Sequence, residues 1–69
     1  MPISMAVPGE TKKIIRVGGN ERVKQHLAEL GFTQDTDVTV MNKVGDSLIV
    51  MVRDARIALD PSLANKIMV

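Results

Sequence analysis

The sequence predicts a mainly β fold: a small five-stranded barrel with one α-helix between strands 1 and 2 and a short helical turn before the last strand. Three observations carry this expectation. Residues 20–32, NERVKQHLAELGF, form the one segment with the period, start and stop of a helix. Elsewhere the apolar residues fall in short runs broken by Gly, Asp and Asn. The runs at 38–42 and 48–52 are apolar on both alternating sets, as strongly bent strands of a small barrel covered by a helix require. With 69 residues the chain makes one domain, 1–69, and folding buries only roughly 60% of the surface that the unfolded chain exposes.

Pro8-Gly9 is a turn signal, and residues 10–17 read as strand 1, polar at first and ending Ile-Ile-Arg-Val. Gly18-Gly19 breaks that strand. In the helix, Val23, Leu27 and Leu30 recur at i, i+4 and i+7 and line one face, with Ala28 beside them. Asn20 offers an oxygen to the open N-terminal amides, Glu21 suits the first turn, and Gly31 can take the left-handed conformation that ends the helix. The spacing therefore predicts a helix over 21–30, followed by a loop at 33–37 and strand 2 at 38–42. Gly45-Asp46 is a hairpin signal leading into strand 3 at 48–52. Arg53-Asp54 can turn the chain tightly into strand 4 at 55–59. Asp60 and Pro61 read as the cap and first residue of a helical turn over 61–65, and 66–69 close as strand 5. The expected core is Val17, Val23, Leu27, Leu30, Val38, Val40, Leu48, Val50, Val52, Leu59 and Ile67.

Composition removes several function classes. The chain has no cysteine, so a disulfide framework, a thiolate zinc site and a cysteine-held iron–sulfur cluster are excluded, in keeping with a reducing compartment. Nine basic residues against eight acidic ones give a net charge of +1, without the field of a sequence-independent nucleic-acid binder. Phe32 is the sole aromatic residue, so no base-stacking platform can form and no nucleic-acid partner is expected. No apolar run approaches the roughly 20 residues of a membrane span, and the first ten residues lack a basic region followed by an apolar one. A soluble, unsecreted protein with no direct membrane insertion is the expectation.

No catalytic residues are identified. Asp35 and Asp37 lie in a short exposed loop that supplies neither a cleft nor a perturbed proton affinity. Gly18-Gly19-Asn20 precedes a helix, but without the Lys-Ser/Thr of a phosphate-binding loop or a third fingerprint glycine it reads as a turn and cap. His26 and Glu29 stand three apart on one helix face and are the candidate metal ligands, although two ligands suffice only for a weak or dimer-bridging site. For partner binding, two candidate groups emerge. Lys12, Ile14 and Arg16 alternate along strand 1 and would share its outer face, against a plain reading as a lysine-protected strand edge. Met41, Ile49 and Met51 form the apolar surplus on strands 2 and 3, either buried by strand bending or exposed as a docking patch.

The ordered set of segments resembles the FeoA family. The match runs through Pro8-Gly9-Glu10, Ile14-Ile15, Gly19, Leu27-Ala28-Glu29-Leu30-Gly31-Phe32, Arg56-Ile57-Ala58-Leu59, Ala64 and Ile67-Met68-Val69, and covers nearly the whole chain. Two positions depart from it. The loop after the helix often carries Pro-Gly in this family where this chain has Gln34-Asp35, and the turn before Arg56 often carries Gly where this chain has Asp54-Ala55. The resemblance implies an SH3-like barrel and a non-enzymatic cytoplasmic accessory of bacterial ferrous-iron uptake. Its partner would be the cytoplasmic GTPase part of the membrane transporter FeoB, with no resident cofactor and iron associated through the family alone. The alternatives are an SH3-like module of a metal-dependent regulator or nucleic-acid-associated complex, or a weak direct binder of transition-metal ions. Self-association stays open at this stage.

Overall fold

Residues 10–17 do not form a single strand. The computed structural model describes residues 1–69, and in it this segment divides into β1 (Thr11–Lys13) and β2 (Arg16–Val17), which belong to different sheets. The division falls at Ile14-Ile15. The Ile14 amide donates to the Thr36 carbonyl (2.9 Å), whereas the next amide, that of Ile15, donates to the Met68 carbonyl (2.7 Å). Two successive residues bonded to different elements break the in–out alternation of a strand. Ile14 is therefore fully buried, while Ile15 is 57% exposed. This corrects the expectation that Ile14 lies on an outer face with Lys12 and Arg16.

After the helix α1 (Glu21–Glu29) come β3 (Asp37–Val44), β4 (Ser47–Val52), β5 (Ala55–Leu59), the helical turn α2 (Pro61–Ala64) and β6 (Ile67–Met68). Antiparallel pairing orders one sheet β1-β3-β4-β5, and β2 pairs with β6 in a second. There are thus six strands rather than five, and the two sheets are not joined by hydrogen bonds into a closed barrel. Strand 2 runs two residues longer than its apolar pattern, to Val44, because a bulge at Met41 lets the chain bend and continue to the Gly45-Asp46 hairpin.

The helix is fixed at both ends as its sequence requires. The Asn20 side chain accepts from the Val23 amide (2.9 Å). At the other end Gly31 takes φ +108°, with its amide on the Ala28 carbonyl (3.0 Å) and the Phe32 amide on that of Leu27 (2.9 Å). That double bond pattern is a Schellman cap, and it turns Phe32 back into the core beside Leu27. Asp60 caps α2 in the same way as Asn20 caps α1, accepting from the Leu63 amide at 2.8 Å.

Of the expected core, Leu27, Val38, Val40, Leu48, Val50, Val52, Leu59 and Ile67 are buried; Val17, Val23 and Leu30 are partly buried and pack against them. Ile3, Ala6, Ile14, Phe32 and Ala64 complete the cluster. Ile3 belongs to an N-terminal 3₁₀ turn (Ile3–Met5) that no local sequence signal marks. That turn is held by the far end of the chain. Pro2 bridges Met68, Met1 and Val69 exchange bonds of 2.9 and 2.7 Å, and the Ser4 hydroxyl donates to Asn65 Oδ1 at 2.6 Å.

Candidate docking surface

The register of the larger sheet decides which residues share its outer face. Residues directly opposite one another point to the same side. Val38 faces Val52, and Val40 faces Val50 and through it Ile57, so these rows point inward to the core. The alternate rows point outward: Thr11, Thr39, Met51 and Arg56 form one, and Asn42, Ile49 and Ala58 the next, with Met41 at the bulge between them. Ile49 and Met51 are half-buried by their neighbours, and Met41 is 38% exposed. Three of the sequence-derived candidates thus lie together on one apolar strip. Thr11 and Thr39 border it through a hydroxyl–hydroxyl bond of 2.9 Å.

The basic candidates go elsewhere. Lys12 pairs with Val38, which places it on the inward side of the sheet edge, where its ammonium meets Glu10 at 3.2 Å. Arg16 is exposed in the other sheet, opposite Met68. The two do not share a face, because the chain changes sheets between them. Glu10 is held below the ordinary carboxylate range, first by the Val7 amide that donates to its Oε1 (2.8 Å) and then by Lys12. It serves the turn at Pro8-Gly9, in which Gly9 has φ +95°.

His26 and Glu29 are both exposed on α1, and no three His, Asp or Glu side chains converge anywhere in the molecule. A cleft of about 200 Å³ between the Gly45-Asp46 hairpin and α2 is bordered by Ser4, Lys43, Asp46 and Pro61. None of the candidate residues lines it.

One surface feature escaped the sequence reading. Arg53 and Asp54 form the β4–β5 turn, with φ +47° and +65°, and the Arg53 side chain crosses over Gly31 toward the hydroxyls of Thr33 and Thr36. The two-residue turn was legible, but not where its arginine goes. The available signal was an Arg in the first turn position, where the I′ geometry favours Asn or Gly.

Fold and surface together define a class: a small SH3-like β module that presents a sheet face and a helix flank. A profile of the FeoA domain matches residues 1–69, and the chain belongs to the FeoA family. Among solved structures, FeoA of Stenotrophomonas maltophilia, a prokaryotic SH3 domain protein solved with zinc, is 28% identical with a TM-score of 0.85; the match covers 99% of this chain and 86% of that one. Iron(II) transport protein A of Clostridium thermocellum is 23% identical with a TM-score of 0.90, over 97% of this chain and 43% of that one. IdeR of T. acidophilum is 24% identical with a TM-score of 0.85, over 97% of this chain but only 32% of that one. This chain therefore spans less than half the length of the last two. No curated protein sequence matches it.

Proposed function

We propose that this protein is a non-enzymatic accessory of bacterial ferrous-iron uptake that works in the cytoplasm by docking onto the cytoplasmic GTPase part of the transporter FeoB. The observation that carries the reading is the FeoA-domain match over the entire chain. The S. maltophilia relative, named as a candidate activating factor of ferrous-iron transport, supports the pathway. The surface supports the mode of action: Met41, Ile49 and Met51 offer an apolar strip with a polar border, the composition of a small transient interface. No helix is long and apolar enough to cross a membrane. The Glu10 carboxyl, held below its usual range, lies beside an exposed turn and has a structural partner.

Calorimetric titration against the soluble domain of the transporter, and then against the full transporter in detergent, tests the reading. Binding in the micromolar range that weakens at least about tenfold in Met51→Asp is the expected result. Absence of binding to both forms at tens of micromolar would remove it.

The zinc-bound relative favours one secondary reading, direct but weak metal binding at His26 and Glu29. A zinc titration in which His26→Ala leaves the isotherm unchanged would eliminate that pair.

A further inference from the structure

The Arg53 backbone sits at φ +47°, a conformation in which a Cβ crowds the following carbonyl and that Gly adopts freely. Its side chain depends on a second concession. A Cβ on Gly31 would stand 3.0 Å from Arg53 Cδ and 3.5 Å from Cγ, so the arginine stem occupies the space that glycine leaves open. Beneath the guanidinium, the Thr33 and Thr36 hydroxyls bond to each other at 2.7 Å, and each receives a long 3.5 Å contact from Arg53 Nη2. Nε and Nη1 have no acceptor within the protein, and no carboxylate lies within ion-pairing distance; the ion pairs of the molecule are Lys12–Glu10 and Lys24–Glu21. The result is an exposed, always-charged fork whose stem is packed in place and most of whose donors are unspent. Packing alone would be served by an aliphatic stem on an unstrained turn.

We infer that Arg53 is an anchor for a carboxylate of the docking partner, an acidic side chain taken by the free edge of the guanidinium. The inference rests on the docking reading above and adds the chemistry of the contact. The placement fits. The Arg53-Asp54 turn closes the β4–β5 hairpin one register row beyond Met51–Arg56, with the Val52–Ala55 pair between, so an apolar segment that runs along Ile49 and Met51 toward the turn carries a flanking Asp or Glu to that end of the sheet. A preorganised fork loses little entropy on engagement, and for that reason arginines of this kind dominate interface energetics.

Two variants separate this role from a structural one. Arg53→Lys keeps the charge and stem but not the fork, and Arg53→Gly removes the side chain while relieving the positive φ. In calorimetric titration against the soluble FeoB domain, both should bind about tenfold or more weakly than wild type, with Arg53→Gly melting no lower than wild type. Equal affinities for wild type and both variants overturn the inference while leaving the docking reading intact. If wild type itself does not bind, the docking reading fails, and a titration of the full chain with sodium acetate decides the anchor on its own. Saturable chemical-shift changes at the Arg53 Nε–H and at the Thr33 and Thr36 amides, absent in Arg53→Lys, uphold it. Changes no larger than those in sodium chloride at equal ionic strength overturn it.

Discussion

The Phe32 amide donates to the Leu27 carbonyl at 2.9 Å, closing the C-terminus of α1 so that both side chains enter the core from adjacent positions. The contact depends on Gly31 at φ +108° between them. Leu27→Ala should destabilise the protein by about 2–5 kcal/mol, a large part of a small domain's total. Gly31→Ala should cost about 1–2 kcal/mol through backbone strain, with Arg53 forced aside by the new methyl group. Denaturant titration followed by far-ultraviolet circular dichroism measures both. A Leu27→Ala midpoint equal to wild type would remove the helix-face assignment.

The helix was legible because all its determinants lie within thirteen consecutive residues: Asn20 as cap, the 23–27–30 stripe, and Gly31 as stop. The paired strands were legible for a similar reason, since alternation at 38–40 and 48–52 and two hairpin turns fix the register locally. What the sequence could not show was which distant partner each backbone group finds. Ile3 is buried because residues 1–4 pair with 65–69, more than sixty positions away. The guanidinium of Arg53 was unreadable for the same cause: Gly31, Thr33 and Thr36 lie about twenty residues upstream.

The split of the first strand gives a sharp contrast between neighbours. Ile14 is fully buried and Ile15 is 57% exposed, although a sequence reading has no ground to separate them. Ile14→Ala should cost about 2–5 kcal/mol, and Ile15→Ala should fall within about 0.5 kcal/mol of wild type. Urea midpoints of the two variants check this. A continuous strand, with Ile14 facing outward, requires the reverse order.

Asp35 and Asp54 adopt φ +68° and +65°, and they lie in the two segments, Gln34-Asp35 and Asp54-Ala55, at which the sequence departs from the pattern it otherwise resembles. Aspartate tolerates this region better than most residues, so the departures bend the backbone as glycine would at a small cost. Replacing either by Gly relieves that cost but adds freedom to the unfolded chain, which leaves a net gain of at most about 1 kcal/mol. Melting temperatures of Asp35→Gly and Asp54→Gly should therefore rise by up to about 4–8 °C. A fall in both would mean that the carboxylates do more in these turns than allow them to bend.

Glu10 supplies the pH dependence. Its carboxylate accepts from the Val7 amide and pairs with Lys12, so the folded protein favours the charged form and its pKa lies below the ordinary 4.5. Because the folded value is depressed relative to the unfolded one, the unfolded state takes up the proton first as the solution is acidified. The stabilisation is accordingly complete above pH 4.5 and is lost as the pH falls through the folded value. Glu10→Gln can still accept from Val7 but carries no charge for Lys12 and has no proton to gain. The stability difference between wild type and Glu10→Gln, measured by urea titration from about pH 7 to about pH 3, should stay flat down to the unfolded pKa and shrink below it. A difference that stayed constant across that range would mean that the ionised carboxylate contributes nothing beyond its hydrogen bond, and that the Lys12 contact is screened out by solvent.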